Sequence, residues 1–177
     1  VAPSWHPPEP SDTRIHIILD PGMAFGTGSH PTTRLCLQWL AGHLRTGQSL
    51  IDYGCGSGIL AIAAAKLGAG KVTGVDIDPQ AIRSAHENAR INSAQVTLLL
   101  TTEAAPPAAD IVMANILSNP LKVLAPLLSN LVNPGGYLVL AGLLVPQATQ
   151  VAAAYPAFDM QVQASLEGWA CLVGRKH

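Results

Sequence analysis

The chain contains few charged residues. Asp, Glu, Lys and Arg make up only 12% of its 177 residues, which is about half of the ~25% that is usual in soluble domains. This shortage predicts that another domain or a partner covers part of the surface. A strictly monomeric particle without an exposed apolar patch would contradict that expectation. The formal net charge of -1 gives no basic field, so direct binding of nucleic acid is not expected.

Cysteines and long apolar runs are also scarce. Cys36, Cys55 and Cys171 match no metal-binding spacing, and an odd number argues against a disulfide framework, so we expect free thiols and no metal site. No apolar run reaches the ~20 residues of a membrane-spanning helix, and the N-terminus lacks the pattern of a signal peptide. These absences predict a cytoplasmic protein without membrane contact. Because the first residue is Val1 rather than Met, we expect the chain to be part of a longer one.

Apolar residues, by contrast, are abundant. They make up 49% of the sequence, enough for a chain of this length to bury one core. Residues 1–13 differ, because they contain four prolines and proline at that density favours extended backbone over helix. We therefore expect a linker or arm over residues 1–13 and a single domain over residues 14–177.

From Ser49 onward, apolar segments typical of buried strands alternate with helical patterns. This alternation indicates a parallel sheet with helices on both faces, the doubly wound α/β architecture. The tail breaks the alternation, and residues 158–164 and 168–174 predict an antiparallel hairpin at the sheet edge. The sequence therefore predicts a mostly parallel, seven-stranded sheet. Before Ser49 we expect a strand over 14–19 and a helix that ends near Gly47, and after it parallel strands over 50–53, 71–75, 96–100, 111–114 and 137–141 and helices over 59–67, 79–91, 120–131 and 146–154.

A glycine-rich turn, DYGCGSG at residues 52–58, connects the strand over 50–53 to the next helix. Glycines let the backbone approach a ligand closely, and the helix N-terminus adds oriented N–H groups. The G-x-G-x-G spacing differs from the G-x-G-x-x-G of dinucleotide-binding enzymes. It resembles the first motif of Rossmann-like S-adenosylmethionine-dependent methyltransferases. Gly54 and Gly56 are therefore candidates for cofactor binding, and a purely structural turn is the alternative.

Two aspartates follow the strand over 71–75. Asp76 lies about 20 residues beyond the glycine turn, where a carboxylate accepts hydrogen bonds from ribose hydroxyls. Asp78 directly precedes Pro79, which is the pattern of a helix N-cap followed by proline in the first turn. We therefore assign Asp76 to cofactor binding and Asp78 to helix capping.

Asn115 directly follows the expected strand over 111–114. Because ligands of doubly wound sheets bind outside the carboxyl ends of the strands, we expect Asn115 to face the same crevice as Gly54 and Asp76. Its amide can both accept and donate hydrogen bonds. The alternative is a helix cap, a role that Ser118 or Asn119 would also suit.

The segment over residues 25–33, FGTGSHPTT, is rich in glycine and hydroxyl groups. Ordering such a loop costs conformational entropy, so a bound ligand is a reasonable cause for its composition. Phe25 is a candidate to cover the sulfonium or adenine face of a cofactor, with core packing as the alternative. Ser29 or Thr32 would suit the cap of the following helix, and His30 a hydrogen-bonded turn.

Taken together, these motifs resemble the ribosomal protein L11 methyltransferases. The match covers nearly the whole chain in order and with similar spacing, and FGTGSHPTT is far more specific than the glycine turn. The matching stretches are residues 19–33, 51–60, 75–79 and 114–117, with a similar ending over 167–175.

The resemblance implies an enzyme that moves methyl groups from S-adenosylmethionine to amino groups of ribosomal protein L11. These amines are lysine side chains and the α-amine, the products are trimethylated, and S-adenosylhomocysteine is released. By matching position, Thr33, Gly54, Asp76 and Asn115 would hold the cofactor. Members of the family also carry an N-terminal domain, joined by a linker, that recognises the ribosomal protein. This chain begins near that linker, so we expect the recognition domain to be missing.

Methyl transfer of this kind requires an unprotonated amine. For a lysine with a pKa near 10.4, deprotonation at pH 7 costs about 4–5 kcal/mol, and for an α-amine with a pKa near 8 it costs about 1 kcal/mol. A partly apolar pocket lowers the pKa of an amine, so a strong general base is not required. No His/Asp pair suggests such a base. We therefore expect catalysis mainly by positioning, with Asn115 orienting the incoming nitrogen.

Three alternatives remain open from the sequence. The first is a nucleotide-dependent oxidoreductase, although the glycine spacing does not favour it. The second is a cofactor-binding fragment that is inactive without its N-terminal domain. The third is a methyltransferase that acts on another protein or on a small amine.

Overall fold

The structure is a computed structural model that describes residues 2–3, 14–20 and 28–177. The strands in these ranges are β1 (Ala2–Pro3), β2 (Ile18–Leu19), β3 (Leu50–Tyr53), β4 (Val72–Asp76), β5 (Thr97–Leu100), β6 (Ala109–Asn115), β7 (Val132–Leu144), β8 (Gln161–Leu166) and β9 (Trp169–Arg175). The helices are α1 (Pro31–His43), α2 (Ile59–Lys66), α3 (Pro79–Ile91), α4 (Ser118–Val123), α5 (Ala125–Leu131) and α6 (Ala148–Ala152), with a 3₁₀ turn over Val145–Gln147.

The main sheet has seven strands in the order β5-β4-β3-β6-β7-β9-β8. The first five of these run parallel, and β9 is antiparallel to both β7 and β8. The mostly parallel sheet with a C-terminal antiparallel hairpin is therefore confirmed. From β3 the chain first builds β4 and β5 on one side and then crosses to β6 and β7 on the other. This reversal places a topological switch point between β3 and β6, where ligands of such sheets bind.

Side chains of alternate residues along the central strands supply the two faces of the core. On one face, Leu50 packs in a buried cluster with α1 and α2, which contribute Leu40 and Ile62. On the other face, Ile51 belongs to a second cluster with Leu128 of α5 and residues of α4 and α6. In the described part of the chain, helices thus cover both faces of the sheet and leave its edges and the ends of its strands for a ligand.

Several boundaries differ from the sequence-based expectation. The helix expected over 120–131 is divided into α4 and α5 at Leu124. Pro126 lies in the first turn of α5 and has no N–H to donate to a carbonyl four residues earlier, so the helix is interrupted. The helix expected over 146–154 is the 3₁₀ turn followed by the short α6.

Strand β7 is longer than the expected 137–141 because it begins at Val132 and includes Pro134 and Gly135. This stretch suggests a turn in the sequence, and the structure accommodates it with a shift in the β6–β7 register between Ala109 and Ile111. In the N-terminal region, the expected strand over 14–19 is shorter and consists of Ile18–Leu19. It pairs in parallel with Ala2–Pro3. The rest of the arm predicted over residues 1–13 lies outside the described residues.

Candidate functional site

The candidate residues meet at the carboxyl ends of β3, β4 and β6. Tyr53 is paired with Val75 of β4 on one side and with Ala114 of β6 on the other. The next residue along each strand is Gly54, Asp76 or Asn115. Because the three strands are parallel and in register, these residues lie at one level along the sheet edge.

The backbone of the glycine turn is shaped by contacts that only glycine permits at residue 54. Gly54 has a φ of 76°, in the left-handed region that side chains disfavour. A Cβ atom there would lie 2.6 Å from Cγ2 of Ile116. The Gly54 N–H donates to the carbonyl of Val75 over 2.7 Å, which ties the turn to β4. The turn then passes into α2, whose positive dipole end faces the same edge.

Asp76 connects the end of β4 to this turn. Its Oδ2 accepts a hydrogen bond from the Gly56 N–H (2.9 Å), and its Oδ1 accepts one from the Asp78 N–H (3.0 Å). The side chain is only half-buried, and each carboxylate oxygen has a further lone pair for a ligand. Asp78 instead accepts from the N–H of Gln80 over 2.8 Å at the start of α3, so its predicted capping role is confirmed.

Asp52 performs a role that the sequence analysis did not identify. Its side chain is buried, and Oδ2 accepts a hydrogen bond from the Ala61 N–H (3.1 Å) in the first turn of α2. Gly58, the N-cap of α2, has no side chain to cap the helix, so Asp52 satisfies one of its free N–H groups. Burial raises the pKa of Asp52 from 3.8 to about 7, and the charge of Asp76 acts in the same direction.

Asn115 lies against Thr33 from the first turn of α1. The Asn115 Nδ2 donates to the Thr33 Oγ1 over 3.3 Å, and Thr33 itself is buried. Asn115 does not cap a helix, because α4 begins at Ser118 with Leu117 as its N-cap and without a side-chain capping bond. The helix-capping alternatives for Asn115, Ser118 and Asn119 are therefore wrong.

The cap of α1 also differs from the expectation. The N-cap residue is His30, rather than Ser29 or Thr32, and its Nδ1 accepts from the Thr32 N–H over 3.3 Å. The His30 ring also makes an edge contact with Trp169 of β9, with the centroids 4.9 Å apart. The first turn of α1, which carries Thr33, is thus fixed by contacts at its start.

The structure brings Gly54, Gly56, Asp76, Asn115 and Thr33 to one edge of the sheet. Phe25, the remaining candidate for cofactor binding, lies outside the described residues.

Two polar residues, one on α3 and one at its C-cap, were missed by the sequence analysis. Asn88 and Asn92 are buried on the face that also carries Ala81, Ala85 and Ala89. Asn88 contacts the glycine turn directly, because its Nδ2 donates to the carbonyl of Ser57 over 2.9 Å. The available signal was the pattern itself, since a polar residue that recurs on an apolar helix face needs buried hydrogen-bond partners.

Over the described ranges, no group of three or more His, Cys, Asp or Glu side chains is arranged to hold a metal ion. All three cysteines are free and buried. None of the helices in the described part of the chain combines the length and apolarity needed to cross a membrane.

Comparison with known proteins identifies the family. The family model described as Ribosomal protein L11 methyltransferase (PrmA) matches residues 1–177. The chain belongs to this family. The ribosomal protein L11 methyltransferase of Thiobacillus denitrificans is 57% identical over 178 residues, and that of Bordetella parapertussis is 54% identical over 186 residues. Each alignment covers 99% of this chain but only 60% and 61% of the relative, so the chain spans about three-fifths of these proteins.

Solved structures agree with this assignment. The ribosomal protein L11 methylase of Lactobacillus delbrueckii subsp. bulgaricus superposes with a TM-score of 0.89 at 33% identity, covering 99% of this chain and 93% of that one. A 16S rRNA N2 G1207 methyltransferase from Thermus thermophilus, solved with AdoMet and guanosine, has a TM-score of 0.71 at 21% identity and covers 87% of this chain and 45% of that one. At that identity the second match shows the fold alone. None of these relatives and solved structures is an oxidoreductase.

The residues at the sheet edge fit S-adenosylmethionine. The backbone at Gly54 is left without a Cβ, and the carboxylate of Asp76 is accessible beside it. These are the groups that a nucleoside with ribose hydroxyls requires. The hydroxyl of Thr33 and the amide of Asn115 add a donor and acceptors at the same edge.

Proposed function

We propose that the chain transfers methyl groups from S-adenosylmethionine to amino groups of ribosomal protein L11 in the cytoplasm. The amines are those of lysine side chains and the N-terminus. The observation that carries this proposal is the convergence of Gly54, Asp76 and Asn115 at one level of the sheet, in a chain whose whole length matches the family model.

In this proposal the protein binds the cofactor through the ends of three strands. The backbone at Gly54 and Gly56 lies along the cofactor, and Asp76 accepts hydrogen bonds from its ribose hydroxyls. When bound, S-adenosylmethionine supplies a methyl group on a positively charged sulfur, which leaves as a neutral thioether. Thr33 of α1 and Asn115 of β6 also bind the cofactor.

Asn115 is the residue proposed to orient the incoming amine. Its Nδ2 donates one of its two N–H groups to Thr33, which orients the amide, and Oδ1 is the atom that can accept a hydrogen bond from the nitrogen. A neutral amine has N–H groups to donate and a lone pair to direct at the methyl carbon. Holding it at a fixed angle supplies several kcal/mol of the barrier reduction by positioning alone, on the order of 7 kcal/mol or more in favourable cases.

The amine must also lose its proton before transfer. Ile77 and Leu117, which directly follow Asp76 and precede α4, are large apolar residues exposed at 77% and 68%. Apolar side chains next to the site desolvate an entering ammonium group and lower its pKa, which favours the neutral amine. Asp52 is buried beneath the glycine turn and is therefore not proposed as the base.

The test is transfer of labelled methyl from S-adenosylmethionine to purified ribosomal protein L11, with this chain as the only enzyme. We expect label in the substrate from the wild-type chain and a large loss with Asn115→Ala. If no label appears but S-adenosylhomocysteine still binds, the chain is not an autonomous methyltransferase for L11. If that product does not bind either, the cofactor site proposed at Gly54 and Asp76 is wrong.

A second candidate function has one observation in its favour. The chain covers only 60% of the length of a close relative, so the cofactor site and the recognition of L11 can reside in different parts of the full-length proteins. On this alternative the chain binds the cofactor and methylates small amines or exposed lysines without preference for L11. Comparing L11 with an unrelated lysine-rich protein in the same label assay separates the two functions.

A further inference from the structure

Asn88 joins two parts of the chain that are far apart in the sequence. Its Nδ2 donates to the carbonyl of Ser57 (2.9 Å), in the glycine turn, and its Oδ1 accepts from the N–H of Asp20 (3.0 Å). The side chain is only 1% exposed. A buried amide with both of its ends paired holds one orientation, because rotating it would place donor against donor and acceptor against acceptor.

Asn92, the C-cap of α3, lies one helical turn further along the chain and provides a comparison. Its Oδ1 accepts from the Ile18 N–H (2.8 Å), while Nδ2 donates to the carbonyls of Ile18 (2.6 Å) and Asn88 (2.7 Å). Asn92 therefore binds the same N-terminal segment as Asn88, and none of these three bonds reaches the glycine turn. Of the two, Asn88 is the one that bonds to the turn.

Packing between α3 and the turn is close at this point. A Cβ atom on Gly58 would lie 3.0 Å from Cβ of Ala85, one turn before Asn88 on the same helix face. The Asp76 carboxylate also accepts from the Gly56 N–H. The backbone over residues 56–58 is thus held by both Asp76 and α3.

We propose that Asn88 is a positioning residue for the cofactor site. By binding the Ser57 carbonyl it fixes the peptide plane between Ser57 and Gly58, whose N–H donates to the carbonyl of Cys55 over 2.8 Å, and with it the shape of the turn. This inference rests on the proposed function in that S-adenosylmethionine, and hence S-adenosylhomocysteine, binds against that turn. Asn92 fixes Ile18 without this effect on the turn.

The variant Asn88→Asp tests this role because the side chain keeps its shape. The oxygen that accepts from Asp20 is retained, but the group facing the Ser57 carbonyl changes from a donor to a carboxylate oxygen, which the carbonyl repels. Protonation restores a donor at that position. Since burial raises the pKa of a carboxyl group, protonation is expected within the working range of the assay, and cofactor affinity should become dependent on pH.

The measurement is the dissociation constant of S-adenosylhomocysteine at pH 8 and pH 5.5, expressed as the ratio of variant to wild type at each pH. For Asn88→Asp we expect a loss of about 10-fold or more at pH 8 that narrows to about 3-fold at pH 5.5. For Asn92→Asp we expect a ratio below about 3-fold at both values, even if its thermal stability is lowered equally. The wild type and both variants share the titratable groups on the elements packed around Asn88, which are Arg14, His16, Asp20, Asp52, Cys55, Lys66, Asp76, Asp78, Arg83, His86, Glu87 and Arg90.

Equal affinities of Asn88→Asp and wild type at both pH values would overturn the proposal. So would parallel losses in the Asn88 and Asn92 variants that follow their loss of stability. If Asn88→Asp does not fold, the test is NMR of the side-chain amide groups in the wild-type protein. We expect the Asn88 amide signals to shift on titration with S-adenosylhomocysteine and those of Asn92 to remain, and an unmoved Asn88 signal would overturn the proposal. Failure of the wild type to bind would instead contradict the proposed function.

Discussion

Asn115 at the end of β6 donates from Nδ2 to Oγ1 of Thr33 in α1 over 3.3 Å, although 82 positions separate the two residues in the chain. The contact joins the FGTGSHPTT motif over residues 25–33 to the segment over residues 114–117. It also orients the Asn115 amide. Two stretches that appear independent in the sequence therefore form one side of the candidate site.

The first prediction concerns this pair. Asn115→Ala removes both the acceptor proposed for the amine and the donor to Thr33, so we expect the turnover of L11 methylation to fall about 100-fold. Thr33→Val, which keeps the shape and removes only the hydroxyl, should cost about 10-fold or less. Turnover is measured by label transfer at saturating S-adenosylmethionine. Wild-type turnover in Asn115→Ala would remove Asn115 from the mechanism.

The second prediction separates two aspartates that are two positions apart. Asp76→Asn removes the negative charge and replaces one acceptor oxygen with an NH₂ group. We therefore expect the affinity for S-adenosylhomocysteine to fall by about 10- to 100-fold. Asp78→Ala removes the α3 cap and should lower the free energy of unfolding by about 1 kcal/mol without a comparable loss of affinity. Calorimetric titration and chemical denaturation measure the two effects. Equal losses of affinity in both variants would show that Asp76 acts only through the local structure.

The third prediction compares two glycines. Gly54→Ala introduces a Cβ at a φ of 76°, 2.6 Å from Ile116, so we expect the free energy of unfolding to fall by about 1–3 kcal/mol. Gly42 lies in α1, and a Cβ there would meet no atom within 4 Å. Gly42→Ala should therefore raise the free energy of unfolding by about 0.5–1 kcal/mol through helix propensity. Chemical denaturation of both variants provides the comparison, and a tolerated Gly54→Ala would contradict the geometry of the turn.

The fourth prediction concerns pH. Burial raises the pKa of Asp52 to about 7 from a usual value of 3.8. The folded state therefore binds the proton more tightly, and the resulting stabilisation is complete below the unfolded-state pKa and is lost as the pH rises through about 7. We expect the free energy of unfolding of the wild type to decrease between pH 5 and pH 8 and that of Asp52→Asn to change less.

Asp110 offers the matched control for that experiment. Hydrogen bonds from the backbone of Ser49, from Asn133 and from the Ser49 hydroxyl lower its pKa, so its stabilising contribution is lost only as the pH falls toward the acid range. The effect of Asp110→Asn should therefore be constant between pH 5 and pH 8. If Asp52→Asn keeps the pH dependence of the wild type over this interval, another group is responsible.

Much of the fold was predictable from the sequence because its signals are local. The apolar strand over 50–53 and the helix over 79–91 have the expected bounds. Asp78 and Pro79 mark a helix start by their own chemistry. The division between α4 and α5 was missed even though Pro126 is a local signal, because the apolar periodicity on both sides of it continues.

The contacts within the candidate site were less predictable because they are non-local. Parallel pairing places Gly54, Asp76 and Asn115 at one edge, and the order of strands was sufficient to expect this. The bonds that Asn88 makes to Ser57 and Asp20 depend on how α3 docks against the turn. The choice of His30 as the α1 cap is similar, since serine and threonine are the more common N-caps.

We propose that the cofactor binds at the carboxyl ends of β3, β4 and β6. The test is backbone amide NMR of the 18.4 kDa chain during titration with S-adenosylhomocysteine. We predict saturable shifts concentrated at residues 54–58, at Asp76 and at Asn115, with little change at the opposite edge around Ser49 and Asp110. Absence of saturable shifts, or shifts centred on that opposite edge, would contradict the claim.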